Sequence, residues 1–248
     1  MVKGLDTFRK YFEGYENQYV LIGGAACDIV FESNDTIFRA TRDLDMVLIV
    51  EALTPEFGEK FWEFIREGQY RNKASTGGKP QFFRFDKPEN EVFPKMIELF
   101  CRSDFELHEM VGITPIHIDD TVSSLSAILL DDNYYNVLLA GKSNANGLSV
   151  LRPEYLILFK AKAYLDLKQR KENGEKVDSN DIKKQKKDVL RISAELMLEK
   201  ATNLPVSVKK DIDAFIELLE KEPFDANSLK NYGLKNQEVI ETLKRVFN

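Results

Sequence analysis

Cysteine is almost missing from this chain. Cys27 and Cys101 are its only two, too few for a disulfide framework, and each sits in an apolar run (Ala25-Ala26-Cys27 and Leu99-Phe100-Cys101). They read as small buried hydrophobes in a reducing compartment, so the expected localisation is cytoplasmic. Histidine is as scarce. His108 and His117 are separated by a Gly/Pro-containing stretch without metal-ligand spacing, and neither is given a catalytic role. No 18-residue apolar run occurs, and residues 1–10 lack the apolar segment of a secretion signal, so a soluble, unprocessed protein without a membrane partner is expected. Excess positive charge is lacking too. A formal net charge of −6 argues against a dominant electrostatic grip on nucleic acid. It leaves one local basic run, Lys183–Lys187, which reads as a solvated helix face.

What is present supports a well-packed protein. Of 248 residues, 43% are apolar and 31% charged, which excludes disorder and fibrous folds. Asp6–Tyr15 has helical spacing. Tyr19–Ile22 is a compact strand ended by Gly23-Gly24, a tight turn, and Ala25–Phe31 follows as a helix. Asp43–Glu51 is nearly continuous in apolar residues after its first positions, the pattern of a strand covered on both faces. Pro55–Glu67 reads as a helix carrying the single tryptophan, Trp62. Further strand signals lie at Gln81–Phe85, Lys95–Arg102, Ile113–Ile118 and Tyr134–Ala140, and Arg71–Lys79 reads as a loop. Beyond Pro153 the pattern turns helical: Tyr155–Lys171, Asp181–Leu198, Val206–Glu220 and Asn236–Phe247. The expected fold class is α+β, a mixed sheet with flanking helices over residues 1–145 and an α-helical domain over 146–248.

Three features carry chemistry. In a strand, side chains at i and i+2 share a face, so Asp43 and Asp45 project side by side. Two like charges so close repel unless a proton or cation lies between them. Glu98 interrupts the apolar run Met96-Ile97-Glu98-Leu99-Phe100, where an unpaired carboxylate would be costly. If that strand neighbours the first, three carboxylates converge, an oxygen-rich set suited to Mg²⁺ shared with substrate phosphates. Two such ions would clamp the attacking and leaving oxygens of an in-line displacement. Gly23 and Gly24, having no Cβ, let backbone N–H groups approach a triphosphate at a helix start. Each feature has a plainer reading. The Gly-Gly is also an ordinary turn, Asp-x-Asp a solvated strand edge, and Glu98 an edge residue or the ion-pair partner of Lys95 or Arg102. Phe82-Phe83-Arg84-Phe85 reads as a core strand rather than a base-stacking platform, and Ser75–Lys79 lacks the spacing of a phosphate loop.

Taken in order, the run Ile22-Gly23-Gly24-Ala25-Ala26 followed by Arg39-Ala40-Thr41-Arg42-Asp43-Leu44-Asp45 resembles the opening motif of polymerase-β-like nucleotidyltransferases. The Arg-x-Thr-x-Asp-Leu-Asp form looks most like the AbiEii/AbiGii-type nucleotidyltransferase family, which includes toxins of type IV toxin–antitoxin systems. The resemblance implies a nucleotidyltransferase-fold catalytic domain. It implies Gly23, Gly24, Thr41 and Arg42 at the nucleotide, and Asp43, Asp45 and Glu98 as catalytic metal ligands. Lys160-Ala161-Lys162-Ala163 matches that family's Lys-x-x-Ala motif, which implies Lys160 as a triphosphate ligand and Asp188 as its orienting partner or a base. The implied activity is transfer of an NMP from an NTP to a hydroxyl or phosphate, with Mg²⁺ as cofactor. The implied acceptor is tRNA, protein or a small molecule, with a cognate antitoxin as partner. Its rivals are an antibiotic-modifying nucleotidyltransferase and a catalytically silent nucleotide-binding module.

Overall fold

The computed structural model describes residues 2–39, 41–72, 82–100, 128 and 131–248. Two compact units emerge, one from the described residues of 1–120 with 142–151, the other from those of 121–141 with 152–248. The division expected at residue 145 falls inside a strand pair of the first unit.

The first unit is built on a mixed sheet. Its strands are β1 (Tyr19–Ile22), β2 (Asp43–Leu48), β3 (Arg71–Asn72), β4 (Phe82–Asp86), β5 (Met96–Phe100), β6 (Lys142–Ala145) and β7 (Leu148–Leu151). Their spatial order is β3-β4-β5-β2-β1-β7-β6. β1 runs antiparallel to β2 and parallel to β7, and β2 runs parallel to β5. Every residue of β1 and of β7 is buried, as aliphatic strands covered on both faces should be.

Among the described residues, three helices cover the sheet: α1 (Leu5–Tyr11), α2 (Gly23–Glu32) and α3 (Pro55–Gly68). α3 opens with Pro55 in its first turn, and the Thr54 hydroxyl accepts from the Phe57 N–H, the usual chemistry of a helix start. Between α1, α3 and one sheet face lies an aromatic core. Phe64, wholly buried, meets Phe8, Phe12 and Phe93 with ring centroids 5.8, 5.4 and 4.8 Å away. Phe85 of β4 meets Phe61 and Trp62 of α3. By strand alternation Arg84 therefore faces the other side of the sheet, the α2 side.

One expectation needs revision here, and one element was not foreseen. Tyr134–Ala140 is not a strand; it lies inside the helix α4 (Asp132–Gly141). Its buried residues Tyr134, Tyr135, Val137, Leu138 and Gly141 recur with helical period. Asp131 caps the start, its Oδ1 accepting from the N–H groups of Asn133 (2.8 Å) and Tyr134 (3.2 Å). The β6–β7 hairpin had no counterpart in the sequence reading, although Asn146-Gly147 at its tip has φ of 53° and 75°, the two left-handed positions such a turn requires. The expected strand at Ile113–Ile118, and residues 73–79 of the expected loop, lie outside the described residues; Arg71 and Asn72 pair as β3.

The second unit is helical. α4 is followed by α5 (Pro153–Glu172), α6 (Ser179–Glu195), α7 (Val206–Lys221), α8 (Ala226–Asn231) and α9 (Asn236–Phe247). α5 packs on α6 and α7, and α9 closes on α7. Tyr134 of α4 is pinned to α7, its hydroxyl donating to Asp211 Oδ2 at 2.9 Å; burial and that carboxylate hold the phenol far above its ordinary pKa. Among the described residues, no helix is long and apolar enough to cross a membrane.

The aromatic core sets the stability of the first unit. Phe64→Ala is expected to cost about 3–5 kcal/mol, read as a lowered urea midpoint at constant slope. A loss under about 1 kcal/mol would show that the cluster collapses around the void.

Candidate active site

The acid pair stands at the entry of β2. Asp43 and Asp45 are partly exposed while Leu44 and Met46 between and after them are buried, so the two carboxylates share one face and the apolar side chains the other. In the ladder, Asp45 lies opposite Ile22 of β1 on one side and Glu98 of β5 on the other. Glu98 lies opposite Arg84 of β4. Residues paired across strands share a face, so Asp45, Glu98 and Arg84 form one row across three strands, with Asp43 two positions along β2.

The Gly-Gly turn and the start of α2 are the same structure. Gly23 and Gly24 are the first two residues of α2, rather than a turn ahead of it. Gly23 has φ of 67°, which favours glycine. A Cβ built on Gly23 would lie 1.9 Å from Asp45 Oδ2, and one on Gly24 would lie 2.7 Å from Thr41 Oγ1. The missing side chains are thus filled by the functional groups of Asp45 and Thr41. Arg42, beside them in sequence, is exposed.

Glu98 is 8% exposed, and its partner is Arg84, not the expected Lys95 or Arg102. Arg84 donates to Glu98 Oε1 through Nε at 3.0 Å and Nη2 at 2.6 Å. Lys95 is exposed, and Arg102 lies outside the described residues. Among the described residues, no three histidine, cysteine, aspartate or glutamate side chains gather closely enough to hold a metal ion. The three acids therefore share a row without closing into one ligand set, and Glu98 bonds the guanidinium of Arg84. Asp43 and Asp45 by themselves fit a divalent cation: two adjacent carboxylates, partly open to solvent, over a glycine cradle that any Cβ would fill.

Lys160 and Asp188 belong to the helical unit. They pair there, Nζ to Oδ2 at 2.9 Å, with side chains only 8% and 3% exposed, joining α5 to α6. Asp181 and Lys184, which precede Asp188 on α6, are exposed. Of the basic run, Lys183, Lys184 and Lys187 face solvent. Lys186 instead reaches the carbonyls of Glu222 and Pro223 over the rings of Tyr164 and Phe224. Cys27 is buried. The two histidines, Cys101 and Ser75–Lys79 lie outside the described residues. The sequence reading passed over Arg84, although strand pairing of Gln81–Phe85 with Lys95–Arg102 would have put a basic side chain beside Glu98. It also passed over Asp28, a buried acid within α2 that stands among Cys27, Ile29, Val30 and Phe31.

Neither a protein-family model nor a curated protein sequence matches the chain. Among solved structures, the chain is similar to an antigenic nucleotidyltransferase-like protein from Paracoccidioides brasiliensis, at 13% identity and a TM-score of 0.49, over 98% of this chain and 91% of that one. It is also similar to the antibiotic-resistance factor ANT(2'')-Ia in solution, at 10% identity and a TM-score of 0.39, over 88% and 92% of the two chains. At these identities the likeness is one of chain path, and chemistry has to be read from the residues themselves.

Two substitutions test this geometry. Gly23→Ala forces a side chain into left-handed backbone and into the Asp45 carboxylate, and is expected to cost about 1–3 kcal/mol and to weaken Mn²⁺ binding; unchanged values of both would refute the cradle. Asp188→Asn is expected to cost about 3–5 kcal/mol in chemical denaturation, and replacing both partners (Lys160→Met with Asp188→Leu) far less. A single loss as small as the double would remove the buried pair as a structural element.

Proposed function

We propose that this chain is a Mg²⁺-dependent nucleotidyltransferase, moving an NMP from an NTP to an acceptor hydroxyl or phosphate. The observation that carries the reading is the seat of Asp45. Its carboxylate occupies the space left by Gly23 at the first turn of α2, while Asp43 stands on the same face two residues away. A helix start aimed at anions and a carboxylate pair aimed at a cation then meet at one point. This is the combination needed to hold a metal–triphosphate.

In this reading Asp43 and Asp45 hold the ion, which when bound neutralises phosphate charge and polarises the α-phosphate. Gly23 and Gly24 bring backbone N–H groups to the phosphates, and Thr41 and Arg42 border them. The acceptor oxygen attacks the α-phosphorus, the bond to the bridging oxygen breaks, and pyrophosphate leaves with those electrons. The acceptor's proton passes to the Asp43 carboxylate. Glu98 is the poorer base, since two guanidinium N–H groups already bond its Oε1. Placement and charge neutralisation supply most of such a reaction, and little covalent help is needed.

The motif from Arg39 to Asp45 supports assignment to the AbiEii/AbiGii-like nucleotidyltransferases and a toxin role, with tRNA, protein or a small molecule as acceptor and an antitoxin as partner. In that scheme Lys160, paired with Asp188, is the motif lysine of the helical unit. A second reading, a nucleotide-binding module without transfer, draws on the hold of Arg84 over Glu98. Incubation with each labelled NTP, Mg²⁺, total RNA and total protein separates them: label enters one macromolecular fraction if the first is right. Asp45→Asn is expected to reduce that labelling at least about 100-fold while leaving the fold intact. Labelling that persists in Asp45→Asn, or is absent throughout while NTP binds, would exclude the transferase.

A further inference from the structure

The dipeptide Asn-Gly occurs twice in the chain, at Asn146-Gly147 and at Asn173-Gly174. Asparagine is a thermolabile amide, and a following glycine leaves the next backbone nitrogen unshielded, since no Cβ stands beside it. That nitrogen loses its proton to solvent base and attacks the Asn Cγ. The Cγ–Nδ2 bond breaks, ammonia leaves with the electron pair, and a succinimide ring remains. Water opens the ring at either carbonyl, leaving aspartate or isoaspartate. The attack requires the glycine N–H to leave its hydrogen bond and the peptide plane to turn toward the side chain. Whatever fixes that plane protects the asparagine.

The two sites are fixed very differently. Asn146 and Gly147 form a two-residue turn with φ of 53° and 75°, closed by the ladder pair Ala145 and Leu148. The Gly147 N–H donates to Asn144 Oδ1 at 3.0 Å. Leu148, Val150 and Leu151 behind the turn are wholly buried, and β7 lies between β1 and β6. Turning the Asn146–Gly147 plane means unzipping β6 from a strand whose side chains are anchored in the core.

Asn173 follows the last residue of α5, at φ −75° and ψ 2°, and Gly174 has φ of 86°. Three end-of-helix bonds hold the segment: Asn173 N–H to the Gln169 carbonyl (2.9 Å), Gly174 N–H to that of Lys171 (3.0 Å) and Glu175 N–H to that of Arg170 (3.0 Å). No apolar anchor backs them. Every residue from Lys171 to Lys176 is exposed, and a Cβ placed on Gly174 would meet nothing within 4 Å. The Arg170–Glu175 ion pair spans the turn at 2.6 Å, a surface contact of small weight. Fraying one helical turn is enough to release the Gly174 N–H, and such openings lie at the low end of a protein's range.

We propose that Asn173 is a site of spontaneous deamidation, and that the β6–β7 hairpin protects Asn146 from the same reaction. The product carries a new carboxylate at the carbonyl end of α5, beside Glu172 and Glu175, where the helix dipole disfavours it. Isoaspartate also lengthens the main chain by one methylene at the cap. Modification therefore loosens the end of α5 further and leaves the sheet untouched.

The whole wild-type chain carries both sites, so each is the other's control. It is aged in mildly alkaline buffer, folded or unfolded in urea, and peptide mapping by mass spectrometry reads aspartate and isoaspartate at each position. In the folded chain, product at 173 is expected to form at least about tenfold faster than at 146. In urea the two rates are expected to agree within about threefold, which shows that fold and not neighbouring sequence sets the difference. Equal rates in the folded chain, faster reaction at 146, or no reaction at 173 while the unfolded chain reacts would each overturn the proposal. A tenfold difference that persists in urea would assign the effect to sequence and overturn it as well.

Discussion

The first unit hangs on the register of β2 between β1 and β5. Asp45 meets Ile22 on one side and Glu98 on the other, so a single ladder position fixes the acid against the start of α2 and against the next acid. A slip of one residue would turn both aspartates into the aromatic core and bring Leu44 and Met46 to the α2 side. The burial of Leu44 and Met46, and the cost of burying two carboxylates instead, lock the register without help from any ligand. Gly23 then follows: with Asp45 so placed, no Cβ fits at the head of the helix.

Much of this was legible in the residue pattern. β1, β2, α3 and the long helices after Pro153 announce themselves by aliphatic runs, a proline at the first turn, or helical period, and the acid pair is visible from its spacing. What stayed hidden was non-local. Tyr134–Ala140 holds aromatic and branched residues that suit a strand equally well. Packing on α5 and the cap from Asp131 decide for a helix, and neither shows in a short window. Arg84 went unremarked because its significance is a cross-strand pairing with Glu98, fourteen residues away in sequence. The Asn146-Gly147 turn is legible in itself, but the strands it joins are four residues each and too short to show a period of their own.

Charge is handled differently in the two units. In the sheet unit the acids stand at a rim, part in water, where a mobile counter-ion can reach them. In the helical unit Lys160 and Asp188 are sealed against each other, and the desolvation of both is offset only while both are present. Around them lie more exposed pairs such as Lys162 with Asp166 and Asp211, each of small individual weight. The sealed pair ties α5 to α6.

The hairpin β6–β7 makes the first unit discontinuous along the chain. β7 is one of the two neighbours of β1, yet it follows α4, which belongs to the helical unit. A ribosome therefore finishes β1 more than a hundred residues before its second neighbour emerges, counting from Ile22 to Leu148. Until then β1 offers a bare, wholly apolar strand edge, the kind that pairs with other nascent chains. The sheet cannot be completed before residue 151 leaves the exit tunnel, and any single cut of the gene that keeps it whole carries the α4 segment of the other unit with it. Synthesis at high density should thus expose this protein to misassembly late, and a chaperone that shields the edge of β1 would act on this interval.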